Sequence, residues 1–131
     1  MADSYESLKI PPHSIEAEQS VLGGLLLSGL ANDSTAWDTI ADKVTEGDFY
    51  RQDHRLIFRA IADLVEDSKP LDLVTVSEWL KQRGELEHAG GFAYLATMAK
   101  DTPSAANIKA YAEIVREKSV LRQLITVGTG I

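Results

Sequence analysis

The chain has 131 residues, with 13 Lys and Arg against 20 Asp and Glu for a formal charge of −7, and no cysteine. Disulfides and thiolate zinc sites are excluded, and so acidic a chain (pI about 4.9) is on average repelled by nucleic-acid phosphates, which bind proteins mainly through Lys and Arg. At 44% hydrophobic residues it has one domain's length and enough apolar side chain to bury a core.

The opening MADSYESLKIPP is acidic and polar, without the basic-then-apolar order of a secretion signal, and reads as a flexible leader over 1–12. Ser14 is placed to cap a first helix over about 15–28. Glu16 and Glu18 follow in its first turns, where carboxylates favour the helix dipole. Ile15, Leu22, Leu25 and Leu26 make one apolar stripe, with Ala17, Val21 and Gly24 beside it. Gly23 and Gly24 sit mid-helix, where each Gly costs about 1 kcal/mol relative to Ala. They are read as positions of close helix packing, where a missing side chain lets another backbone approach. No apolar run nears the ~20 residues that span a bilayer, so a cytoplasmic chain with no membrane contact is expected.

Asn32–Ser34 offer caps for a second helix carrying Trp37, Ile40, Ala41 and Val44 at helical spacing. After Gly47-Asp48, a third helix over about 51–66 turns Leu56, Ile57, Ala60, Ile61, Leu64 and Val65 inward. Asp72 caps a fourth, LVTVSEWLKQR, ended by Gly84. LDLVTV is the one stretch where alternation offers a strand instead, and the Asp cap favours helix. Gly90-Gly91 leads into a fifth helix, FAYLATMAK. Thr102-Pro103 opens a sixth, since Pro is tolerated at the first helical position, and 104–127 contains no Pro or Gly. The fold class is all-α, a compact bundle of about six helices with the last one long.

That last helix has two apolar faces. Ile108, Tyr111, Ala112 and Val115 cluster on one. Val120, Leu121, Leu124, Ile125, Val127 and Ile131 cluster nearly opposite, with Arg116-Glu117-Lys118 at the changeover. One helix on one core keeps a single stripe, so the second face is expected to be covered by another chain or by a helix beyond residue 131.

Candidate chemistry is sparse. His13, His54 and His88 have no metal-ligand spacing and read as surface or capping residues. No glycine precedes a lysine, so no phosphate loop of the GxxxxGK type is present, and Gly128-Thr129-Gly130 is only a GxG. Arg51, Arg55 and Arg59 share one helix face and supply the alternative function, a helical nucleic-acid-binding regulatory domain, although such rows are usually solvated. Trp37 and Trp79 read as packing residues. Only dispersed carboxylates would support a small helical enzyme, and no catalytic or metal-binding residue is assigned.

Five blocks in fixed order, PPHSIEAEQSVLGGLLL, DFYRQDHRLIFRAI, PLDLVTVSEWL, GGFAYLA and TPSAANIKAYAEIVREKSVLRQLI, resemble the N-terminal domain of the bacterial replicative DNA helicase of the DnaB type, over about residues 8–131. The resemblance implies a helical head over 13–101 and, over 102–131, the first arm of a helical hairpin whose second arm is not in this sequence. It implies a homo-oligomer, a dimer for this chain and a hexamer for the whole helicase, in which six such domains form a collar. A DnaG-type primase is the implied partner, through its C-terminal helical domain, with a helicase loader as a further one. DNA would be reached only through the whole ring. ATP and Mg belong to a separate motor domain, so no cofactor is expected here. By matching blocks, Glu16, Tyr94 and Ile125 fall on the implied primase-facing surface, joined by Ile131. Val120, Leu121, Leu124 and Val127 form the implied oligomer ridge.

Overall fold

Pro11 and Pro12 keep the chain out of helix until Ser14, whose Oγ accepts a hydrogen bond from the Ala17 amide at 3.2 Å, the third residue of the helix it caps. The computed structural model describes residues 10–30, 35–102 and 105–129. Within them lie α1 (Ile15–Leu30), α2 (Thr35–Ile40), a 3-10 turn (Glu46–Asp48), α3 (Gln52–Glu66), α4 (Leu73–Gln82), α5 (Gly91–Asp101) and α6 (Ile108–Thr129). The architecture is all-α, with no strand among the described residues. LDLVTV is helical because Asp72 Oδ1 takes the Thr75 amide at 2.8 Å while Thr75 Oγ1 takes the Asp72 amide at 2.9 Å, a reciprocal cap. No described helix is long and apolar enough to cross a membrane.

α1 is the central element, packed against α2, α3, α5 and α6. Every position from Val21 to Leu26 is buried, so the expected single stripe is in fact a fully enclosed segment. Ile15, at its open end, is only half-buried. Enclosure explains Gly23: a Cβ there would stand 2.6 Å from the Met98 carbonyl oxygen and would also strike the Thr102 hydroxyl. Gly24 is less constrained, since a Cβ would meet the Ile108 Cδ1 methyl at 3.2 Å.

Two expectations need correction. The second helix ends at Ile40 and continues as a turn, although Ala36, Ile40 and Val44 are all buried as a helical pattern demands. The last helix begins at Ile108, not near 104, because Thr102 belongs to the end of α5: its buried hydroxyl donates to the Met98 carbonyl at 2.9 Å. The candidate caps Asn32–Ser34 and Pro103 lie outside the described residues.

Ile108, Ala112 and Val115 bury the first half of α6 in the core. The same face then turns polar. Ser119 Oγ donates to Asp48 Oδ1 at 2.8 Å, Arg116 Nη1 to the same oxygen at 3.0 Å, and Arg122 Nη2 to the Asp48 carbonyl at 2.6 Å. Asp48 itself is buried, and its Oδ2 takes the Thr45 amide at 2.8 Å. The 3-10 turn thus grips the middle of α6 and leaves Val120, Leu121, Leu124 and Ile125 facing solvent.

Overpacking at a closed backbone contact costs about 1–3 kcal/mol. Gly23→Ala should therefore lower the urea midpoint clearly despite the better helix propensity of Ala. Gly24→Ala should lie within about 1 kcal/mol of wild type, because only a methyl must shift. Equal midpoints for the two variants would reject the contact.

Candidate docking surface

A shallow groove of about 270 Å³ runs between α1 and α5, lined by Glu16, Gln19, Ser20, Tyr94, Thr97, Met98, Asp101 and Thr102. Two candidate residues, Glu16 and Tyr94, therefore share one surface. Glu16 is exposed at the start of α1, and Tyr94 is half-buried on the first turn of α5. Gly90 makes room for its ring: a Cβ there would lie 2.9 Å from Tyr94 Cγ, and its φ of +102° already excludes most side chains.

Behind Tyr94 lies a buried polar chain that sequence reasoning missed. Tyr94 Oη is 2.6 Å from His54 Nε2, and His54 Nδ1 is 2.7 Å from Glu18 Oε1. Glu18 Oε2 accepts the Tyr50 amide at 2.7 Å, at the entrance to α3. Glu18 is 1% exposed and His54 0%. The expectation of a surface or capping role therefore fails for His54, because both ring nitrogens find partners inside and burial leaves neither unpaired. It holds for exposed His88, while His13 is half-buried, its ring stacked on Tyr50 at 4.1 Å. A signal for His54 did exist: it sits in register with inward-facing Ile57, Ile61 and Leu64 on α3.

The remaining candidates lie apart from the groove. Ile125 stands on α6, 45% exposed, beside Val120, Leu121 and Leu124, of which Leu124 is the barest at 62%. Val127 and Ile131 fall outside the residues whose side chains are described. The arginine row is engaged within the chain. Arg51 pairs with Asp53 at 2.8 Å, Arg55 Nε donates to the Phe49 carbonyl at 2.7 Å, and Arg59 pairs with Glu46 at 2.6 Å. Among the described residues no group of three or more His, Cys, Asp or Glu is arranged to hold a metal ion.

Comparison with known proteins decides the family. A model of the DnaB-like helicase N-terminal domain matches residues 10–117. The chain belongs to this family. Replicative DNA helicase DnaB of Haemophilus influenzae is 51% identical over 124 residues, which is 95% of this chain and 25% of that protein. The DnaB of Geobacillus stearothermophilus is 45% identical over 125 residues, 95% of this chain and 26% of its own length. The chain thus spans about a quarter of these curated relatives. The crystal structure of the N-terminal domain of DnaB helicase from Mycobacterium tuberculosis superposes with a TM-score of 0.86 at 43% identity, covering 92% of this chain and 81% of that one. The family model ends at residue 117 and covers the groove and the buried chain, while the 124 residues matched in the Haemophilus influenzae relative reach into the exposed row on α6.

At the mouth of α3, burial pushes the Asp53 carboxyl up. The hydrogen bonds from Arg51, the electrostatic influence of His54 and of Arg51, and the His54 amide outweigh burial and hold it below its ordinary 3.8. A folded value below the unfolded one makes the carboxylate stabilising at neutral pH, and that contribution is lost as pH falls through the depressed value. In urea melts between about pH 5 and 3, wild type should lose stability more steeply than Asp53→Asn. Parallel curves would exclude the pairing as a contributor.

Proposed function

We propose that this chain is the docking and oligomerisation module of a hexameric replicative DNA helicase, with ATP-driven unwinding carried by another part of that protein. The head over 13–101 presents the Glu16–Tyr94 groove to the C-terminal helical domain of a DnaG-type primase, with Ile125, and Ile131 beyond the described residues, extending that surface. α6 is the first arm of a helical hairpin. Its ridge of Val120, Leu121 and Leu124, continued by Val127 beyond the described side chains, pairs with the same ridge of a second copy, an isologous contact of the kind that closes a dimer, and three such dimers make the collar. A helicase loader is a further partner of the assembled ring.

The observation that carries this reading is the apolar row Val120, Leu121, Leu124 and Ile125 on a helix whose opposite face is already packed and clamped. Exposed apolar residues grouped on one helix face mark interaction surfaces. Membership of the DnaB family supplies the helicase context. The acid balance, −7 overall, supports protein partners over bare nucleic acid, and each member of the arginine row already has a partner within the chain.

Sedimentation should show a concentration-dependent dimer that Leu124→Asp weakens by tenfold or more, about what losing one buried leucine costs, with the thermal midpoint unchanged. Titration with the primase domain should shift the amide signals of Glu16, Tyr94 and Ile125, and Glu16→Lys should weaken binding. A wild-type chain monomeric at millimolar concentration removes the ridge. Silence at those three amides removes the groove.

A further inference from the structure

The Tyr94 hydroxyl joins buried His54 to Gln19 on the groove lining. Gln19 Nε2 donates to it at 3.1 Å, and it lies 2.6 Å from His54 Nε2. The sense of that second bond is set from the far side of the imidazole. Glu18 Oε1 is 2.7 Å from Nδ1, and a carboxylate only accepts, so Nδ1 carries the proton. In the neutral imidazole Nε2 is then bare, and the Tyr94 O–H at 2.6 Å donates to it, with the Asp53 carboxylate farther off at 3.9 Å. A phenol has a single proton, and with that proton committed inward the hydroxyl faces the groove as an acceptor. Glu16 and Asp101 on the same lining bring carboxylates, acceptors as well. The ring itself is held flat against the imidazole, 4° from parallel with centroids 6.0 Å apart.

The geometry points to His54 as a positioning residue of the docking groove: acting through Tyr94, it commits the groove to partner side chains that bring N–H donors, such as Arg, Lys, Asn or Gln. This inference rests on the docking reading above. His54 is fully enclosed and touches no partner itself, so its influence travels through one hydroxyl. Glu18 sets the tautomer, and Gln19, itself on the groove lining, donates to the hydroxyl from beside it.

Asparagine puts its amide nitrogen where Nδ1 stands, while glutamine reaches the position of Nε2. His54→Asn therefore keeps a donor for Glu18 and releases Tyr94, whereas His54→Gln keeps an acceptor for Tyr94. The 131-residue chain, these variants, Tyr94→Phe and the double variant His54→Asn with Tyr94→Phe are titrated with the C-terminal helical domain of a DnaG-type primase. His54→Asn and Tyr94→Phe should each weaken binding about tenfold. The double variant should be no weaker than Tyr94→Phe, and His54→Gln should lie within about twofold of wild type. Losses that multiply in the double variant, or a His54→Asn chain that binds like wild type, overturn the inference.

Should His54→Asn not fold, Glu18→Gln carries the same test. Its carbonyl faces the Tyr50 amide and its NH2 faces Nδ1, which reverses the tautomer with the ring in place. Weaker binding supports the inference and unchanged binding overturns it. If the wild-type chain itself does not bind the primase domain, the docking reading falls. The Tyr94 Cζ shifts, which follow the hydrogen bond of the hydroxyl more than the ring current of its neighbour, then judge the positioning alone. Displacement in His54→Asn with return in His54→Gln supports it, and constancy in both overturns it.

Discussion

A helix enclosed on every side must find partners inside the protein for each polar group it carries, and α1 carries Glu18 into such a place. The carboxylate is answered by the His54 ring and by the Tyr50 amide at the start of α3. The positive end of the α3 dipole is a favourable surrounding for it. A buried ion pair or charged hydrogen bond adds little net stability over a well-packed apolar pair, yet breaking one side of it is costly. Its effect is therefore on geometry. Only one rotation of α1 about its axis puts Glu18 on His54, and that rotation also sends Gly23 toward α5 and Leu22, Leu25 and Leu26 into the core.

The contact at Gly23 completes this arrangement. α5 can lie against α1 because no side chain intervenes at the Met98 carbonyl. Close approach replaces what helix propensity loses, since packed atoms gain dispersion contacts that an open gap forfeits. With α1 and α5 locked together, Tyr94 is held at their seam, where it belongs both to the buried polar chain and to the groove.

α6 joins this body by two different kinds of interaction. Its first half is apolar packing through Ile108, Ala112 and Val115. Its middle is a polar clamp, in which buried Asp48 collects Ser119, Arg116 and the Thr45 amide. The clamp fixes the direction in which α6 leaves the head, and it holds the row from Val120 to Ile125 away from the core. A helix held in this way can offer apolar residues outward without their folding back.

The family and the helical character of nearly every segment were legible in the order of residues alone. Ser14 and Asp72 act on amides three residues away, and the alternation of apolar positions along α3 repeats within one turn, so local spacing contained these answers. The two-faced character of α6 was legible for the same reason. The start of α6, the burial of His54, the grip of Asp48 and the internal pairing of the arginine row were not. Glu18 and His54 are 36 residues apart, and Asp48 and Ser119 are 71 apart. Which histidine is buried, and which carboxylate meets it, depends on how helices distant in the chain come to rest against one another, and that was settled by tertiary packing around α1 because only there do steric fit and desolvation act on residues from every part of the chain at once.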